Sequence, residues 1–476
     1  MNSETAASSA DGDVPSGVEA FGYKQELHRS LGLFDLLIYG LVFIVPTAPF
    51  PVFGIVFNAS KGMVPLVYTV GLVAMLFTAF SYMTMSRAFP VAGSVYTYAS
   101  RSLGETAGFF AGWGILLDYL LTPTLIYVVC AIAVHTVVPG VPKGVWVVLL
   151  LAFSTVVNYF GIETATRVNI ALLGLQLVLL AAFLVLGVVA LMHGVGGAHL
   201  SLTPLYNAKL VSPSLIFGAL SLAVLSFLGF DAISTLAEET KGGPHLVGQA
   251  TILSLCLAAV LFVAQTYIAS LFVLGRTRFA PGDATETAFY GIVQLIGGPW
   301  YKATISILGV LVSGIPAALT AQAATARLLY GMARDGKLPR LLSHIEPRRK
   351  VPDYAIAAVA LVTLVLGLLL VSQLELLSSM VSFGALLGFF LLHCSVIAHG
   401  WRTAQLRQWL RFLAAPAIGL LIIAYVLVNA QKNAQIAGIA WLAFGVGVLL
   451  ALRLAGRPTG LIADAGAPPG DGADRF

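Results

Sequence analysis

Two aspartates stand where an acid is costly. Asp118 and Asp231 both fall inside long apolar runs, and a charged side chain within a membrane span costs about 2.5–3.5 kcal/mol on insertion scales, which makes each a candidate for function. Asp118 lies eleven residues into the run 107–137. At about 1.5 Å per residue that is roughly 16 Å deep, near the middle of a ~30 Å hydrocarbon core. Trp113, Tyr119 and Tyr127 flank it and offer ring faces that attract a cation by up to ~2 kcal/mol when desolvated. Asp231 belongs to "SFLGFDAISTLAEET", residues 226–240, close to Gly229 and Ser234. Either carboxylate can neutralise an ammonium group or carry a proton. The competing reading of each is an acid that hydrogen-bonds and caps interrupted backbone.

Other chemistry is not written in the chain. It has no HExxH, no GxSxG elbow and no nucleotide-binding motif, so neither an enzyme nor a nucleotide-driven pump is expected. Cys130, Cys256 and Cys394 show no CxxC or Cys/His spacing, and they read as inert buried thiols without a disulfide or metal framework. His135, His193, His393 and His399 do not cluster. The pattern points to reversible binding with no cofactor.

The elements that must position the two acids are membrane helices. The chain has 476 residues, 58% hydrophobic and 10% charged, with a mean hydropathy of +0.92, against roughly 25% charged residues in a soluble domain. Apolar runs long enough to span a bilayer recur at 33–58, 63–86, 107–137, 145–160, 168–192, 213–239, 247–274, 300–333, 354–371, 376–399, 411–430 and 435–454. Twelve spans put 19 Lys and Arg residues on the side of the termini and 7 on the other. Positive residues are retained in the cytoplasm, so both termini are expected there, in a multi-pass protein of the plasma (inner) membrane. The net charge of +5 is explained by this asymmetry and needs no nucleic acid. Residues 1–30 and 456–476 have the polar, small-residue composition of disordered tails.

Two spans carry interruptions. Pro46, Pro49 and Pro51 remove three amide donors within six residues, and each ring clashes with the preceding turn, so residues 44–51 are expected to unwind or kink. Gly229, with Asp231 and Ser234, weakens the sixth span. Breaks at mid-depth persist only where they are buried in protein or line a cavity. Matched breaks five spans apart suggest an inverted repeat of five plus five helices with a binding site between them. Ordinary proline kinks plus a packing glycine are the alternative.

Three stretches carry a resemblance. "SFLGFDAISTLAEET", "RAFPVAGSVYTYASRSLG" (residues 87–104) and "ARLLYGMARDGKLPRLLSHI" (residues 326–345) resemble, in order and spacing, the sixth span, the re-entrant segment between spans 2 and 3, and the end of span 8 of the amino acid–polyamine–organocation superfamily. "LLDYLLTPTLIYVV" on span 3 and the proline-containing first span look most like its bacterial putrescine-importer branch. The resemblance covers residues 25–455. It implies an all-α integral membrane protein of twelve transmembrane helices, with a LeuT-type five-plus-five core at 31–400 and two further helices at 401–455. It also implies a permease that imports a small amine, polyamine or amino acid by alternating access. A neutral amino acid carrier or exchanger is the alternative within the superfamily; a channel or a transporter-like sensor is the one from outside it.

The same resemblance nominates Val45, Pro46, Thr47 and Ala48 on span 1 and Phe227, Gly229, Phe230 and Asp231 on span 6 as the substrate site, with Phe227, Phe230 and Phe383 of span 10 as walls or gates; Asp118, read from its depth, joins them. Two departures from the family pattern stand out. "FIVPTAPF" lacks the Gly-x-Gly-type stretch whose amides hold a substrate carboxylate, which favours an amine, yet Pro51 replaces an acid often present in the putrescine-type relatives. Gln176 replaces a lysine that stands in for sodium in many relatives, and an amide cannot titrate. A proton remains the expected coupling ion, with sodium the alternative. Glu238 and Glu239, facing Arg87, Arg101 or Arg334, are gate candidates; a solvated helix end is the alternative. The expected partners are a small-molecule substrate and the lipid bilayer, with the oligomeric state open.

Overall fold

A computed structural model describes residues 31–89, 94–160, 166–241, 245–334, 338–349, 351–403 and 408–454. Within them the chain is helical, with no strand beyond one isolated bridge between Leu31 and Thr240. The helices are α1 Leu33–Ile44, α2 Pro49–Ser60, α3 Val64–Ala88, α4 Ser94–Leu103, α5 Glu105–His135, α6 Lys143–Phe160, α7 Thr166–Met192 and α8 Pro213–Phe227. They continue with α9 His245–Leu271, α10 Asp283–Glu286, α11 Ala288–Gly309, α12 Ile315–Arg334, α13 Asp353–Leu370, α14 Leu374–Arg402, α15 Ala415–Asn429 and α16 Lys432–Leu454.

Among the described residues, ten helices are long and apolar enough to cross a bilayer, and the bent pair α1–α2 makes an eleventh. The sixth apolar run is interrupted. Its α-helix stops after 15 residues, at Phe227, and the chain goes on as a 3-10 segment, Phe230–Glu239. The cause is local, because Leu228 is extended and Gly229 has φ +110°, a conformation that glycine alone adopts without steric cost. The eighth run, 300–333, begins just after Gly298 (φ 80°, ψ −178°) breaks α11 ahead of Pro299, and it continues through α12 with a π turn at Val310–Gly314 between them. The chain tails and the segments 90–93 and 335–337 of the quoted motifs lie outside the described residues.

Helix ends follow ordinary capping chemistry. The Ser212 hydroxyl accepts from the Leu215 amide at 3.3 Å, with Pro213 at the first helical position of α8. The Asp35 carboxylate accepts from Gly32 N at 2.9 Å to start α1. Side chains such as Leu421, Val428 and Leu369 are largely exposed, as a lipid-facing belt requires. Close approaches between helices rest on small residues. A Cβ on Gly114 would meet Leu387 and the Gly384 carbonyl oxygen of α14, and one on Gly108 would meet Ser100 of α4 at 2.7 Å. The stretch "GFFAGWG", residues 108–114, is thus a seam of α5. The last helix is fastened to α5 by a reciprocal pair: Trp113 Nε1 donates to the Trp441 carbonyl and Trp441 Nε1 to the Trp113 carbonyl, both at 2.9 Å, with the rings stacked at 4.8 Å.

Candidate functional site

The first break spans residues 45–48. Helices α1 and α2 meet there at 59°, and Val45, a β-branched residue, is held at φ 56°. Such a residue at positive φ is strained and persists only where its surroundings over-determine it. Those surroundings are visible. Gln265 Nε2 of α9 donates to the Pro46 carbonyl at 2.9 Å, and Thr47, buried, shares a hydrogen bond of 3.3 Å with Ser313 of the π turn. Ala48 N donates to the Val45 carbonyl at 2.8 Å and Phe50 N to Thr47 at 3.0 Å, so the break is a tight turn with several of its own groups already paired.

The second break, at Leu228–Gly229, touches the first. A Cβ on Gly229 would lie 2.8 Å from the carbonyl carbon of Phe43 and 2.9 Å from its oxygen, so glycine is needed for approach as well as for φ. The halves beyond the breaks pair in opposite directions. Lys241 N donates to the Leu31 carbonyl at 2.9 Å, which places the start of α1 beside the end of the 3-10 segment, while α2 packs on α8.

Asp231 sits at this junction, half-buried. Its Oδ1 accepts from Gly229 N at 3.2 Å and its Oδ2 from the Tyr82 hydroxyl at 3.5 Å, so it caps the broken backbone. Asp118 is also half-buried but keeps more acceptor capacity. Its Oδ1 takes one hydrogen bond, from Thr122 at 2.8 Å, and among the described residues no cation pairs with it. The two carboxylates lie within electrostatic range of one another, and Tyr119 lies within range of both and of Tyr39. Acid, broken backbone and aromatic hydroxyls therefore share one region, the arrangement that receives a cationic or hydrogen-bonding guest.

Comparison with known proteins decides the family. The sequence matches the amino acid permease family over residues 49–435. It is 33% identical over 430 residues to the low-affinity putrescine importer PlaP of Escherichia coli K12, covering 88% of this chain and 93% of that one. The chain belongs to the amino acid permease family. The permease is also 26% identical over 462 residues to the branched-chain amino acid permease BcaP of Bacillus subtilis, covering 90% of this chain and 94% of that protein. It is 24% identical over 446 residues to a methylthioribose transporter of the same organism. The permease is accordingly a multi-pass membrane transporter and not an enzyme.

Several nominated side chains of the permease lie elsewhere than at the junction surface. Phe227 is fully buried against Tyr68 and Phe262, and Phe230 against Tyr82 and Phe389. Phe383 points at α16, where its ring fills the space above Gly438. Of the aromatics expected around Asp118, Trp113 is engaged with Trp441, and the Tyr127 hydroxyl donates to Gln322 Oε1. Gln176 is buried, and its Nε2 donates to the Val312 carbonyl in the π turn at 3.2 Å, while its Oε1 has no partner among the described residues. Arg87 lines a separate cavity with His399 and Arg411. The side chains of Glu238, Glu239 and Arg334 lie outside the described ones.

Sequence reasoning missed Gln265, the Thr47–Ser313 contact, Tyr39 and Tyr82. A glutamine inside the apolar run 247–274 was the available signal for Gln265, since a buried amide needs partners. It also missed a clamp at the end of α2. Asn58 accepts from Phe279 N at 2.7 Å and donates to the Phe279 carbonyl and to Thr285 Oγ1. The same loop is locked by Lys143, which reaches Asp283 at 2.6 Å and also pairs with Glu286.

Proposed function

We propose that this permease is a secondary active transporter that imports a small amine, polyamine or amino acid by alternating access, through twelve spans whose first ten form a five-plus-five inverted repeat. The observation that carries the reading is the contact between the two breaks, Gly229 against Phe43, with their flanking half-helices paired in opposite directions. Two interrupted spans related in this way create a guest site that exposed peptide groups and nearby acids can line.

An amine fits the side chains best. Asp118 supplies a carboxylate with open lone pairs, Tyr119 a ring beside it, and Gln265 and Gln176 each present a buried amide oxygen without a described partner on residues that hold the break or the adjacent π turn. These are acceptors suited to ammonium N–H groups. The similarity to a protein described as a putrescine importer supports the same class, and the branched-chain permease supports an amino acid as the second reading. The transporter lies in the inner membrane with both termini cytoplasmic, and a proton on one of the two aspartates couples uptake to the membrane potential. Rocking of one helix group against the other alternates access to the junction.

Uptake of labelled putrescine by cells or proteoliposomes, competed with a panel of diamines and branched-chain amino acids, tests the substrate. Saturable putrescine uptake that an uncoupler abolishes is the expected result. Competition by leucine but not by diamines would transfer the assignment to the amino acid reading, and uptake that is unsaturable would sink the transporter mechanism.

A further inference from the structure

A cavity of about 350 Å³ opens where α3, α14 and the π turn Leu410–Ala414 come together. Arg87, Arg411, His399, Thr84 and Thr403 line it with the ring of Phe412. Among the described residues, no Asp or Glu lines it. Arg411 lies close enough to Arg87 for their charges to repel, and among the described residues neither makes an ion pair. Two guanidinium groups held together at the rim of a low-dielectric protein are unfavourable unless an anion joins them.

The cavity is built to keep one of them in place. Arg411 Nε donates to Thr84 Oγ1 at 3.3 Å, and its charge sits 5.2 Å from the Phe412 ring centre. That leaves the terminal guanidinium nitrogens of Arg411 for a bidentate partner. Phe412 is itself buried tightly on α14, since a Cβ on Gly400 would meet it at 2.6 Å. The Thr403 hydroxyl donates to the His399 carbonyl, which fixes the end of α14. Arginine pairs with phosphate through two parallel N–H bonds, and two arginines with a flanking imidazole offer donors to its oxygens, while the Thr84 and Thr403 hydroxyls donate to the Phe80 and His399 carbonyls.

The cavity also sits at a telling height. Trp401 on α14 and Trp409 just before the π turn, each two residues along the chain from a lining residue, are 66% and 57% exposed. Exposed tryptophans at span ends mark the headgroup level of a bilayer. We propose that this cavity binds a phosphate group, held between Arg87 and Arg411, and that an anionic phospholipid of the surrounding leaflet supplies it. Basic pockets between membrane helices take headgroups in this way.

The test uses the full chain purified in neutral detergent. Thermal unfolding is followed with phosphatidylglycerol, phosphatidylcholine or inorganic phosphate added, for the wild type and for R87Q/R411Q. The expected result is stabilisation by phosphatidylglycerol but not by phosphatidylcholine, with the apparent affinity lowered on the order of 10-fold or more in the double variant, because charge-assisted hydrogen bonds are lost. Should the glutamine variant not fold, R87K/R411K keeps the charge without the forked geometry and is expected to give an intermediate affinity. Native mass spectrometry of the wild type gives the bound lipid directly. Protection by inorganic phosphate equal to that by lipid, with displacement of the lipid, would retain the phosphate cavity but overturn the lipid as its source. Equal affinity for phosphatidylglycerol in the wild type and both variants overturns the proposal.

Discussion

The two breaks solve one problem by different means. At residues 45–48 the interruption comes from prolines, and neighbours hold it: Gln265 on α9 takes the Pro46 carbonyl and Ser313 in the π turn takes Thr47. At Leu228–Gly229 the interruption comes from a glycine, and the chain holds it itself, with Asp231 reaching back to Gly229 N. The first break is therefore coupled to helices α9 and α11–α12, whereas the second depends on local chemistry. Movement of the π turn should disturb residues 45–48 first. The carboxylate at the second break is engaged in structure, which leaves Asp118 as the freer acid.

Substitutions can separate the two. Gly229→Ala is expected to have the largest effect. A non-glycine residue in the left-handed region costs roughly 1–2 kcal/mol, and the new Cβ would press on the Phe43 backbone at 2.8 Å; loss of folded protein and of uptake is expected, read by yield in membranes and by transport. A variant that folds and transports normally would show that the breaks need not touch. Asp231→Asn and Asp118→Asn come next and should diverge. The first removes charge-assisted bonds worth roughly 1.5–3 kcal/mol and is expected to lower thermal stability. The second should leave stability near wild type and cut uptake of a cationic substrate on the order of 10-fold or more. Identical behaviour of the two would erase the distinction.

Gln265→Leu should destabilise by about 1–3 kcal/mol, because the Pro46 carbonyl is left buried without its donor, and the thermal midpoint reads it. Ser313→Ala, removing a 3.3 Å contact between hydroxyls, should cost only about 0.5–1.5 kcal/mol. The smallest effect lies away from the breaks. The Lys143 ammonium holds the Asp283 carboxyl below its ordinary range, through a hydrogen bond and its charge. A depressed folded value means that the stabilisation is present above the ordinary carboxylate value of about 3.9 and is lost as pH falls through the lowered one. With 74% of the Asp283 side chain exposed, screening limits the gain to ~0–1 kcal/mol. Acid titration of thermal stability in the wild type against Asp283→Asn measures it.

The sequence showed the spans readily, because a bilayer imposes length and apolarity on every crossing segment and the runs were continuous. The breaks were legible for the same reason, since Pro46, Pro49, Pro51 and Gly229 are conspicuous in segments that should be regular helix. What surrounds the breaks was not. Phe227, Phe230 and Phe383 have no marks that tell core from site, because nearly every neighbour in such a run is apolar and periodicity carries little signal. The π turn at Val310–Gly314 leaves no residue-type trace, and the links from Gln176 and Ser313 to it became visible only in three dimensions. Asp231 has two readings in the sequence, and the bond that its carboxylate accepts from Gly229 N became visible only in three dimensions.

The reciprocal indole bonds between Trp113 and Trp441 bear on how the molecule moves. Each ring adds a second hydrogen bond to a carbonyl of the other helix, so sliding α16 along α5 would strand both indole N–H groups together. The C-terminal helix must therefore follow α5 as a passenger. A fluorescent label on an exposed α16 residue such as Ile436 would report the travel of the helix that bears Asp118, without touching the binding region.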